Sequence, residues 1–152
     1  MRLTANFTLD ELTRSTTAQR LRLDNTPPPA LLPQLQATAE MLQRIRDHLQ
    51  RAVIVTSGYR GPEVNRAVGG VTSSDHMRGQ AADIVAPGFG SPYEVAKALA
   101  PQVSVLGIGQ VILEGVRGKQ WVHVSTRLPE KLVNRVITIT DAGVRVGIQE
   151  LA

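Results

Sequence analysis

A chain of 152 residues with no cysteine and a net charge of +4 can hold neither a disulfide nor a cysteine-ligated metal, and its length suits one domain spanning residues 1–152. Its 17 Lys and Arg residues are spread without a basic run and aromatics make up only 3%, so it lacks the interleaved charge and stacking surface of a nucleic-acid binder. No stretch of 18 apolar residues offers a membrane span, and the opening MRLTANFTLDELTRS lacks the apolar centre of a secretory signal, so synthesis in the cytoplasm is expected and any action outside needs another export route.

Thr8-Leu9-Asp10-Glu11 has the form of a capping box, with a hydroxyl for the third helical amide and a carboxylate reaching back, and predicts a short helix to about Arg14. DNTPPP, residues 24–29, is a stiff polar connection that can neither be helical nor join a sheet interior. Leu31, Leu35, Ala39, Leu42, Ile45 and Leu49 then recur at intervals of three and four, predicting a long helix over 30–50 with one apolar face. His48 lies one position off that stripe among Arg46, Asp47 and Arg51 and reads as a surface residue.

Residues 52–56, AVIVT, are short, apolar and β-branched and predict a buried strand ended by Ser57-Gly58. A polar loop or short helix follows through Asn65, then the pair Gly69-Gly70. Ser91-Pro92-Tyr93-Glu94 is a second capping box with proline at the first helical position and predicts a helix over 92–100. GQVILE and QWVHVS flank GVRGK, and RVITIT and VRVGI flank DAG, two hairpin patterns. Helices come first and strands mostly later, so the class is α+β, with N-terminal helices packed on a mainly antiparallel sheet.

The stretch SSDHMRGQAAD, residues 73–83, carries the chemistry. Zinc in hydrolases commonly takes three ligands from His, Asp and Glu and keeps a fourth position for water. His76 and Asp83 are too far apart for adjacent turns of one helix, but they can face each other across a loop-to-strand turn, with Gly79 permitting the bend. Ala81 and Ala82 allow close backbone approach, and Ile84 and Val85 continue as a strand with Asp83 near its start. A third ligand must come from elsewhere. His123 lies mid-strand, sharing a face with Trp121 and opposite Val122 and Val124. It suits a cleft wall as well as it suits a satisfied histidine on a half-buried sheet.

SSDHMRGQAAD resembles the S-x-H-x-x-G-x-A-x-D signature of the zinc D-Ala-D-Ala carboxypeptidase family of metallopeptidases. SGYRGPEVN, residues 57–65, resembles the segment upstream of it, and QVILE followed by WVHVS resembles the closing segment of a branch common in phage and prophage genomes. The likeness runs from about Asn6 to Ser125. It implies a hedgehog/DD-peptidase-like fold and Zn²⁺ held by His76, Asp83 and His123. It further implies that Arg60 pairs with a substrate carboxylate or the polarised carbonyl oxygen, and that Ser74 gives a hydrogen bond near the ligands. Taken alone, without the neighbouring motif, Arg60 reads rather as a surface ion pair and Ser74 as a turn hydroxyl. Trp121 is expected to contact substrate.

Several branches of that family place a glutamate three residues before the last histidine, where this chain has Gln120, which cannot take a proton from water. Some relatives use a histidine two before it, where this chain has Trp121. Glu114 is the remaining candidate base, and the pleat supplies a test. Paired with Trp121, the expected register, its carboxylate shares the face of His123; paired with Gln120, it points away from that face. The resemblance implies a monomeric peptidase acting at the cell wall on peptidoglycan stem peptides, as a carboxypeptidase or a cross-link endopeptidase of phage-lysin type. The competing reading is an inactive metal-containing domain that binds the wall or builds a virion. His/Asp/His is also compatible with divalent ions other than zinc.

Overall fold

The apolar stripe that begins near Leu35 organises the core. In the computed structural model, which describes residues 1–151, it lies on helix α3 (Leu32–Leu49), where Leu35, Ala39, Leu42, Ile45 and Leu49 are buried. Truncating one of these leucines to alanine costs about 2–5 kcal/mol. Helix α1 (Leu9–Thr13) starts at the anticipated capping box, with Thr8 and Glu11 bonded reciprocally. A second short helix, α2 (Thr16–Leu21), is capped by Ser15 and was not anticipated. It buries only Ala18, so it shows no apolar period. Helix α4 (Pro62–Ala67) follows, and α5 (Pro92–Leu99) carries the second capping box, Ser91 with Glu94.

Six strands form one sheet: β1 (Ile54–Ser57), β2 (Ala81–Val85), β3 (Gln110–Val116), β4 (Lys119–Ser125), β5 (Val136–Thr140) and β6 (Gly143–Val146), in the order β1-β2-β4-β3-β5-β6. Only β3 and β5 pair in parallel; the other neighbours are antiparallel. The α+β class with a mainly antiparallel sheet is thus the observed one.

Two expectations need correction. Residues 52–56 were expected as a buried strand, but β1 is an edge strand in which Ile54 is 50% exposed. It has a single neighbour, so its apolar residues are covered on one flank only. Asp83 was expected near the start of its strand, but β2 begins at Ala81 and places Asp83 at its centre, because Ala81 and Ala82 already pair with Ser125 and Val124.

The faces of the sheet divide the labour. Ala82, Ile84, Val111, Leu113, Val122 and Val124 are fully buried and share one core with the α3 stripe and with Val95, Ala96 and Leu99 of α5. Alternation along each strand then turns Asp83, Ile112, Glu114, Trp121, His123 and Ser125 to the opposite face. The β3–β4 turn is Arg117-Gly118, both at positive φ, which suits a two-residue hairpin. That tight loop holds the register in which Glu114 faces Trp121 and Ile112 faces His123. Among the described residues, no helix is long and apolar enough to cross a membrane.

Candidate metal centre

His76 sits in a single 3-10 turn, Asp75–Arg78, between two polar caps. The Ser74 hydroxyl accepts from the His76 amide at 3.2 Å, and Gly79, at φ +70, closes the turn in the left-handed region that glycine occupies freely. Thr38 of α3 donates its buried hydroxyl to the Gly79 carbonyl at 2.6 Å, tying the turn to the helix. Gly58 supplies a further anchor. Its carbonyl lies 2.8 Å from His76 Nδ1, and it can sit there because a Cβ at Gly58 would collide with the Leu12 carbonyl. Tyr59 N–H donates to that same carbonyl at 2.7 Å.

Asp83 and His123 face each other across the β2–β4 ladder. His123 Nδ1 is 3.1 Å and His76 Nε2 3.2 Å from the same oxygen, Asp83 Oδ1. The two imidazoles meet edge to face with centroids 5.0 Å apart. One ligand atom from each of His76, Asp83 and His123 lies within 4.8 Å of the others, and among the described residues no fourth His, Cys, Asp or Glu joins the group.

The donor set fits a cation. A carbonyl only accepts, so the Gly58 contact puts the His76 proton on Nδ1 and leaves Nε2 with a lone pair in the neutral ring. That lone pair faces the Asp83 carboxylate oxygen at 3.2 Å, an arrangement that a bound cation between the two would stabilise, as a proton on Nε2 also would. Metal bonds of about 2.0–2.2 Å in tetrahedral array separate adjacent ligand atoms by roughly 3.3–3.6 Å, a little more than the 3.1 and 3.2 Å by which the imidazole nitrogens approach Asp83 Oδ1. The bond from the other ring nitrogen of His76 to the Gly58 carbonyl fixes the orientation of the imidazole.

Burial pushes the Asp83 carboxyl up, but the charge and hydrogen bonds of His76 and His123 outweigh it and hold it well below the usual carboxylate range. Burial draws His123 down, and the hydrogen bond and charge of Asp83, with Glu114 and Asp75, push it above the ordinary imidazole value. Glu114 Oε1 lies 3.8 Å from His123 Nδ1, beside the triad rather than in it. Burial first and Asp83 second raise its pKa, against the pull of His123 and Arg60. Arg60 is lowered by burial, which outweighs the charges of Asp83 and Glu114, and its buried Nε has no protein partner among the described residues.

These groups line one cleft of about 500 Å³ that also includes Trp121, Ser74, Gly69, Gly70, Val71 and Ile139. The structure therefore brings together all seven residues singled out in the sequence: Arg60, Ser74, His76, Asp83, Glu114, Trp121 and His123. The Ser74 hydroxyl is engaged as a turn cap. His48 is exposed on α3. Sequence reasoning passed over Asp75 and Arg127, which line the same cleft and bond to each other at 2.7 Å. Asp75 occupies a variable position of the signature, and Arg127 lies beyond the last motif.

A sheet face gathering two imidazoles and a carboxylate at metal-ligand spacing, with a further carboxylate and a guanidinium alongside, defines the class of protein: an α+β fold carrying a candidate metal centre in an open cleft. The family model described as Peptidase M15 matches residues 5–125, and the chain belongs to this metallopeptidase family. No curated protein matches it.

Proposed function

We propose that the protein is a zinc-dependent peptidase that hydrolyses peptidoglycan stem peptides. The observation that carries this reading is the convergence of His76 Nε2, Asp83 Oδ1 and His123 Nδ1, with Glu114 and Arg60 at its edge. His76, Asp83 and His123 hold the ion, and the lack of a fourth protein ligand among the described residues favours a reactive site over a closed structural one. Bound there, the ion supplies a Lewis acid that activates water and polarises a carbonyl.

The chain's own residues do the rest. Glu114, partly desolvated and on the face of His123, accepts the proton of the attacking water and delivers it to the leaving amine. Arg60 pairs with the oxyanion as it develops, its planar fork matched to such a group. Trp121 forms a wall against which the peptide lies, and Ser74 keeps the turn bearing His76 in place. Gln120 has no part in proton transfer. One core cluster joins Phe7 to Val124, which supports residues 1–152 acting as a single domain. The peptidoglycan substrate and action at the cell wall in the manner of a phage lysin rest on the motif resemblance.

The test is incubation of the zinc-loaded protein with purified peptidoglycan fragments, with and without chelator, followed by mass analysis. Released D-Ala identifies a carboxypeptidase, and two stem fragments identify an endopeptidase. Absence of any chelator-sensitive product overturns the reading.

A further inference from the structure

Arg127 and Asp75 form a second charged group in the same cleft. Asp75 is the residue before His76, and its carboxylate is 5% exposed. Both of its oxygens are engaged. Oδ2 accepts from the Ser125 hydroxyl at 2.9 Å, and Oδ1 accepts from Arg127 Nε at 2.7 Å. Ser125 Oγ also accepts the Arg127 amide at 3.1 Å, so the bonded pair Ser125 and Asp75 fixes the backbone and the side chain of Arg127 respectively. Arg78 approaches Asp75 from outside at 3.9 Å.

Balancing one buried carboxylate does not account for this residue. A guanidinium has five donors in a planar fork, and Asp75 takes only the Nε one. Nη1 makes a single long contact of 3.4 Å to the Leu128 carbonyl, and Nη2 has no partner among the described residues. The side chain is 41% exposed and lines the cleft. It is a pre-oriented cation with donors to spare, a separate group from Arg60.

We infer that Arg127 is a second anion-binding residue of this cleft, positioned by Asp75, and that the preferred substrate is a peptide bearing a free carboxylate away from the bond that is cut. This rests on the peptidase reading given above. Asp75 is the positioning residue: it holds the fork by its Nε edge and leaves the Nη edge for the ligand. A guanidinium arranged in this way accepts a carboxylate through two parallel hydrogen bonds, and amidating that carboxylate removes the charge and one acceptor.

The experiment compares the zinc-loaded protein on synthetic stem pentapeptides in which each carboxylate, the D-glutamyl one and the C-terminal one, is amidated in turn. Wild type is expected to lose about tenfold or more in kcat/KM on amidation of one of them, the scale of a lost charge-assisted hydrogen bond. Arg127→Gln is expected to lose that discrimination, and Asp75→Asn to weaken it while Arg127 is still present. Affinities of the same peptides for zinc-loaded Glu114→Gln, and for Glu114→Gln combined with Arg127→Gln, give the ratio without turnover. Melting temperatures and zinc content identify variants that fail to fold. If Arg127→Gln keeps the wild-type ratio for every carboxylate, the pair is a structural ion bridge and the inference is overturned. If wild type cleaves none of the peptides, the peptidase reading falls, and the affinity ratio still decides the role of Arg127.

Discussion

Glu114 stands directly opposite Trp121 in the β3–β4 ladder, and this pairing places its carboxylate on the face that carries His123. A slip of one residue, pairing it with Gln120, would turn it away from the ligands. The two-residue turn at Arg117-Gly118 leaves no slack for that slip.

Glu114→Gln should therefore remove proton transfer while leaving the ion in place. The change is isosteric, and Glu114 lies beside the candidate ligands His76, Asp83 and His123 rather than among them. The expected fall in kcat is about 10²–10⁴-fold, with zinc content by elemental analysis unchanged. A variant that keeps full turnover would assign the base elsewhere.

Removal of the metal should lower thermal stability. A ligand at 100 times its Kd that binds only the folded chain stabilises it by about 2.7 kcal/mol, which for a chain of this size corresponds to roughly 5–10 °C in Tm. Calorimetry with zinc and with chelator measures the difference. Asp83→Asn should abolish it, because the oxygen shared by both imidazoles then loses its charge. An unchanged difference in that variant would place the ion at another site.

What could be read from the chain is what depends on local chemistry or on short pairing. Both capping boxes, Thr8 with Glu11 and Ser91 with Glu94, are closed by residues three apart. The β3–β4 hairpin brings Glu114 to Trp121 through its own turn. The cluster of His76, Asp83 and His123, a candidate metal site, was legible because its spacing matches a known signature, and its closure relies on β2 pairing with β4 across about 40 residues. Sheet order carried no such mark. The apolar residues 52–56 look like any buried strand, yet β1 ends up on the edge because β2 is its one partner and nothing later pairs with its free side. Asp75 and Arg127 are 52 residues apart, and each alone is an ordinary surface charge. Their meeting follows from where Ser125 ends β4 beneath the turn.

Gly58→Ala tests how the site depends on a packing contact outside it. A Cβ there meets the backbone of Leu12, so α1 and the β1 end must separate, disturbing both the Tyr59 to Leu12 bond and the Gly58 carbonyl that orients His76. Overpacking of this kind costs about 1–3 kcal/mol, and loss of the His76 to Gly58 bond should weaken zinc affinity by about 10–100-fold. Gly118→Ala is the contrast. It carries a φ of +79 but has open space around it, so about 1–2 kcal/mol of backbone strain is expected with metal affinity retained. Denaturant unfolding and zinc titration of both variants make the comparison. Equal zinc affinities in the two would show that the Gly58 carbonyl does not orient His76.

Arg60 distinguishes charge from shape in the cleft. Its buried Nε lacks a protein partner among the described residues, and its guanidinium feels Asp83 and Glu114, so it is held near the ligands without being consumed by a single ion pair. If it receives the developing oxyanion, Arg60→Ala should lower kcat by about 10²–10³-fold with a smaller effect on KM. Arg60→Lys should recover only part of that loss, since an ammonium keeps the charge but not the planar fork. Steady-state kinetics on stem peptides measure both. Full recovery by lysine would mean that charge alone matters, and a rise in KM at constant kcat would move Arg60 from transition-state stabilisation to ground-state binding.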